Sequence, residues 1–110
     1  MIGAKQTPET VYLEDGTDLN KLAIAVAHAE TANCTRGSGI SYNNAIGMMH
    51  WDNGYRELKR YNSCEESLED FKRVWKEHYK KYPTIKEAIK WTGGDKPTTW
   101  LNIVNKYYES

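Results

Sequence analysis

Apolar positions recur at intervals of three and four from Leu19 through Leu22, Ala23, Val26 and Ala27, and Glu30 falls on the same stripe. The spacing predicts a helix over 19–31, capped by an oxygen from Thr17 or Asp18, whose alanines let neighbouring helices come close. That helix ends by Cys34. From Asn33 to Ser41 the flexible Gly37 and Gly39, together with polar side chains that compete for backbone bonds, predict non-helical chain. Tyr42 to Trp51 is apolar enough to be buried but is interrupted by Gly47 and bounded by Asp52-Asn53-Gly54, so it reads as a short strand or turn packed beneath a groove.

Ser63 and Glu66 have capping-box spacing and announce a long helix to about Tyr82, stopped by Pro83. Leu68, Phe71, Trp75, Tyr79 and Tyr82 form its inner stripe, and the basic run Lys72, Arg73, Lys76, Lys80 and Lys81 reads as its solvated face. Thr84 and Glu87 repeat the capping box for a short helix ending at Gly93-Gly94, and Pro97 opens a last helix with Trp100, Ile103, Val104 and Tyr107 at core spacing. Residues 1–16 mix Pro, Thr, Glu and Gly around a short Val-Tyr-Leu patch and are expected to form an arm laid over a domain spanning 17–110. Four helices and one irregular or short β middle segment make the expected fold mostly α.

At 110 residues the chain fits one domain with one core. Fifteen basic and fifteen acidic side chains cancel, so no field of one sign draws the protein to nucleic acid or to an anionic membrane. No window is long and apolar enough for a membrane span, and Met1 to Pro8 has no apolar signal core. Cys34 follows the first helix and Cys64 precedes the long one, a placement that suits a bridge closing a loop and contributing roughly 3–4 kcal/mol. Two reduced, buried thiols are the alternative. If the bridge forms, the protein works in an oxidising extracytoplasmic compartment, secreted or periplasmic, with any signal peptide absent from this sequence. His28 faces away from Glu30, and both it and His78 read as surface or packing residues; neither has partners for a metal site, so no cofactor is expected.

The chemistry of greatest interest sits at Glu30. Partial burial and the negative end of the helix dipole both disfavour its charged form, and a carboxylic acid still protonated near neutral pH can serve as a general acid. On the alternative reading it lies at the edge of the stripe and faces water.

Three pieces of the chain, Glu30-Thr31, Asn44-Ala-Ile-Gly47-Met48-Met49-His50 and Trp91-Thr92-Gly93-Gly94, resemble in order and rough separation the signatures of the lysozyme-like superfamily. The likeness is to its lytic transglycosylase and goose-type lysozyme branch and to related bacterial glucosaminidases, and it covers about residues 18–108. That family has Glu-Ser at the end of an apolar helix, then Asn-x-x-Gly-Leu-Met-Gln, then Tyr-Asn-Ala-Gly. Trp91 in place of the tyrosine and His50 in place of the glutamine are departures. Trp91 carries no phenolic hydroxyl, for which Tyr107 or Tyr108 is a substitute.

The resemblance implies a lysozyme-like fold and cleavage of the β-1,4 bond between N-acetylmuramic acid and N-acetylglucosamine in peptidoglycan or a related N-acetylated glycan. Glu30 would be the catalytic acid and then base; Thr31, Asn44, Gly47, Met48, Met49, His50, Trp51, Asp52, Tyr55, Trp91 and Tyr107 are the expected substrate contacts, in a monomer. With no second carboxylate the sugar's own hydroxyl closes an anhydro ring, the lytic transglycosylase outcome. With one, water completes hydrolysis, and Asp52 is the first candidate, followed by Glu57, Glu65 and Glu66. A lysozyme-like domain that binds glycan or protein without cleaving it is a further reading, as is a disulfide-stapled interaction module.

Overall fold

Asp18 accepts from the Lys21 N–H at 3.1 Å and so starts α1 (Leu19–Thr31), where the three-and-four pattern places it. Leu19, Leu22, Ala23, Val26 and Ala27 are all buried, and so is Ala25, because α1 is covered on more than one side. Its small side chains admit α5 (Pro97–Tyr108) as the closest neighbour and α3 (Cys64–His78) as the second. The structure, a computed structural model, describes residues 11–52 and 54–110, apart from the side chains of Trp51 and Asp52.

The helix stops because Ala32, Asn33 and Cys34 all take left-handed backbone angles. A one-turn helix, α2 (Ser38–Tyr42), then occupies part of the stretch expected to be non-helical. Gly39 belongs there for contact rather than for flexibility. A Cβ on it would lie 2.6 Å from the Cys34 Cα, so only glycine lets this turn press on that backbone. The segment that follows resolves into β1 (Met49–Asp52), paired antiparallel with β2 (Tyr55–Leu58) in a hairpin with Met49 opposite Leu58 and Asp52 opposite Tyr55. The stretch expected to be a short strand or turn is thus strand only from Met49, and its partner β2 was not expected.

α3 begins at the expected cap, with Ser63 accepting from the Glu66 N–H at 3.2 Å, but it ends at His78 and not near Tyr82. Both Tyr79 and Lys80 N–H groups turn back to the Trp75 carbonyl, and Lys80 adopts a left-handed φ of 70°, which closes the helix before Pro83 is reached. Tyr82 still packs on the core from outside the helix. α4 (Ile85–Thr92) has its predicted reciprocal cap, Thr84 N–H donating to Glu87 Oε1 at 2.8 Å, and it ends at Gly93 with φ of 67°. Pro97 opens α5 as expected. The architecture is therefore five helices with one two-stranded sheet among the described residues.

Phe71, Trp75, Val26, Ile46 and Val104 are fully enclosed at the centre. Trp75 stacks on Tyr79 at 4.0 Å, and Trp91 meets Phe71, Trp75 and Tyr79 edge-on, which ties α4 to α3 through rings rather than backbone. The arm expected over residues 1–16 needs correction where it is described. Leu13 is only 7% exposed and belongs to the core, and Asp15 accepts from the Tyr82 N–H at 2.8 Å. Residues 1–10 lie outside the described residues.

Two links hold the middle of the chain to α3. A disulfide joins Cys34 to Cys64, with Cα atoms 6.5 Å apart. Asp70 accepts from the Tyr61 hydroxyl, from Lys59 Nζ at 2.9 Å and from Arg73 Nη2 at 2.7 Å; burial pushes its carboxyl up, but these donors prevail and hold it at about 2. Among the described residues no helix is long and apolar enough to cross a membrane.

Candidate functional site

The last turn of α1 forms one wall of an open cleft of about 690 Å³, and Glu30 faces into it. Ile46, Gly47, Met48 and Met49 form a second wall, continued by Arg56 on β2. The third comes from α4, α5 and the turn between them, through Lys90, Trp91, Asp95, Lys96, Trp100 and Ile103.

Solvent reaches the Glu30 carboxyl from the cleft mouth, while protein surrounds it on the other sides. Glu30 is thus not enclosed with the apolar stripe of α1 as its spacing suggested, since the cleft opens where the helix reaches its last turn. Desolvation still dominates its titration and raises the carboxyl above its ordinary value. Two indole N–H groups oppose that. Trp91 Nε1 donates to Glu30 Oε2 at 2.9 Å, and the Trp100 N–H favours the ionised form to a smaller extent. The result is a carboxyl whose affinity for its proton is raised and whose direction is fixed by a neutral donor.

Thr31 and Asn44 were expected to contact substrate, and the structure assigns both to the scaffold instead. Thr31 is 4% exposed, and its hydroxyl donates to the Ala45 carbonyl at 2.8 Å and accepts from the Cys34 N–H at 2.8 Å. Asn44 is fully enclosed. Its Oδ1 accepts from Gly47 and Met48 N–H, while its Nδ2 donates to the Met48 and Lys59 carbonyls at 2.9 Å, so one side chain clamps both legs of the hairpin. A buried polar side chain must satisfy its own hydrogen bonds, and these two do so with backbone.

Gly47, Met48, Met49 and Trp91 line the cleft as expected. His50 and Tyr55 are exposed on the hairpin and lie outside the lining, as does Tyr107, which stacks on His28 with ring centres 3.9 Å apart. Trp51 and Asp52 fall on β1, but their side chains lie outside the described ones. Glu57 is exposed on β2 and outside the lining, and Glu65 and Glu66 belong to the first turn of α3.

Four charged cleft residues escaped the sequence reading: Arg56, Lys90, Asp95 and Lys96. Asp95 joins Glu30 as a carboxylate of the lining, and it follows Gly93-Gly94, a pair that signalled only the end of a helix. A polar Asp-Lys at a helix–helix turn, next to the Trp91 motif, was the available clue. Among the described residues no cluster of three or more His, Cys, Asp or Glu is arranged to hold a metal.

Fold and site together define a small, mostly α domain with a carboxyl-bearing cleft. No family model, curated protein or solved structure matches the chain.

Proposed function

We propose that this protein is a lytic transglycosylase that cleaves the β-1,4 bond between N-acetylmuramic acid and N-acetylglucosamine in peptidoglycan, within a lysozyme-like fold. The observation that carries this reading is the Glu30 carboxyl, solvent-reached yet raised in its titration by partial desolvation, fixed by Trp91 and facing an open cleft walled by residues 46–49. The protonated acid gives its proton to the glycosidic oxygen as the C1–O bond breaks. The sugar's own C6 hydroxyl then attacks C1 and returns its proton to Glu30, which restores the acid without consuming water.

Asp95 favours a second reading, in which a paired carboxylate lets water complete hydrolysis. The disulfide supports work outside the cytoplasm, as a wall-degrading role requires.

Turbidity of purified cell walls, followed by mass analysis of the fragments, tests the proposal. Loss of turbidity with anhydro ends, abolished in Glu30→Gln, is the expected result. Reducing ends that disappear in Asp95→Asn point to hydrolysis, and inertness of the unaltered protein leaves a binding domain.

A further inference from the structure

Trp100 is 5% exposed and lines the cleft from α5, yet its indole Nε1, wholly shielded from solvent, has no hydrogen-bond partner among the described residues. An indole N–H left bare in this way costs roughly 1–3 kcal/mol. Phe or Leu would fill the volume without that penalty, so the donor itself needs a use. Trp91 shows what an indole does here, since its N–H already holds Glu30 Oε2 at 2.9 Å.

We infer that Trp100 is a positioning residue for Glu30, its buried N–H being a second donor that engages the carboxylate once the acid has given up its proton. The inference rests on the reading of Glu30 as general acid and adds how its conjugate base is held between the two halves of the reaction. In the protonated state Trp91 alone fixes the group, and the bare N–H of Trp100 stays idle. After proton transfer the full negative charge lies on a carboxylate only partly open to solvent, and a charge-assisted hydrogen bond is roughly twice as strong as a neutral one. The two indoles then share the charge, and α1 and α5, the most closely packed pair of helices, hold the distance.

The other charged or titratable groups that line the cleft are Arg56 from β2, Tyr79 beyond α3, Lys90 on α4, and Asp95 and Lys96 ahead of α5. None of them contributes to displacing the Glu30 titration, which is set by desolvation, Trp91 and Trp100.

The test follows the indole N–H signals of the intact, disulfide-bonded protein by nitrogen–proton NMR across pH. The Trp91 and Trp100 signals are expected to move together with the Glu30 carboxyl midpoint, Trp100 shifting further downfield on ionisation, and both are expected to become flat in Glu30→Gln. In Trp100→Phe the carboxyl is expected to bind its proton about tenfold more tightly, and the high-pH limb of wall cleavage to move upward with it. A Trp100 signal that stays flat while Trp91 titrates overturns the inference, as does an unchanged midpoint in folded Trp100→Phe. The measurement on the unaltered protein stands even if that variant does not fold. Indole signals that titrate in a protein inert toward cell walls sustain the pairing and sink the enzymatic reading, so the two failures are distinct.

Discussion

The indole N–H of Trp91 donates to Glu30 Oε2 across a sequence separation of 61 residues, so the end of α4 aims the carboxyl at the end of α1. Removing the donor while keeping an aromatic ring isolates that effect. Trp91→Phe is expected to tighten proton binding at Glu30 by about tenfold, because a hydrogen bond that favours the ionised form is lost. Carbon-detected NMR of the carboxyl measures it directly. On the proposed reading, the same variant is also expected to lose wall-cleaving activity, measured as turbidity loss of purified walls.

Glu30→Gln separates catalysis from stability. A general acid contributes about 10²–10⁴-fold, and a loss of that order is expected in wall-cleavage rate. Stability is expected to move the other way. The folded carboxyl holds its proton to higher pH than the unfolded one, so the folded state binds more protons between the two midpoints and the protein loses stability as pH rises through that window. Glutamine removes the loss. Urea midpoints of the two proteins should coincide in acid and diverge above the ordinary carboxyl range, with the variant more stable.

The bridge between Cys34 and Cys64 spans 30 residues and fastens the end of α1 to the start of α3. Alkylation without reductant is expected to leave the mass unchanged, and two added alkyl groups would show free thiols. Replacing both cysteines with alanine should cost roughly 3–4 kcal/mol in chemical denaturation, on the chain-entropy model.

Asn44 is the hinge pin of the hairpin. Asn44→Ala leaves two N–H groups and two carbonyls without their side-chain partner, and a loss of roughly 2–4 kcal/mol is expected. Hydrogen exchange should show the Gly47 and Met48 amides unprotected before those of α1 and α5. Unchanged protection there would mean that the hairpin is held by something else.

Elements specified by local chemistry were legible in the sequence. The stripe from Leu19 to Ala27, the Ser63 cap, the Thr84–Glu87 reciprocal pair and Pro97 each depend on residues within one or two turns, and each marks its helix. Elements specified by distant contacts were not. Gly39 reads as a helix breaker until its backbone is seen against Cys34. Three of the four residues of β2, Tyr55, Arg56 and Glu57, are exposed, so this strand has no alternation to announce it.

The site divides the same way. Glu30 stands out from its helix stripe, and the order of the motifs groups it with Gly47, Met48, Met49 and Trp91, all of which line one cleft. Thr31 and Asn44 look identical in sequence whether they meet a ligand or backbone, and only their burial distinguishes the two. Trp91 was judged by the phenol it lacks, when its indole N–H supplies the donor. Asp95 and Lys96 enter the cleft because α4 turns back into α5, which no local pattern encodes.

The Thr31 hydroxyl, one residue beyond Glu30, grips the carbonyl of Ala45, one residue ahead of Ile46. The acid and the facing rim are therefore tied to each other through one oxygen, which works beside the Asn44 clamp and the Ser67 hydroxyl that accepts from the Ala45 N–H. Serine keeps that tie and valine removes it, so the strength of the join between acid and rim is tunable at a residue that belongs to neither.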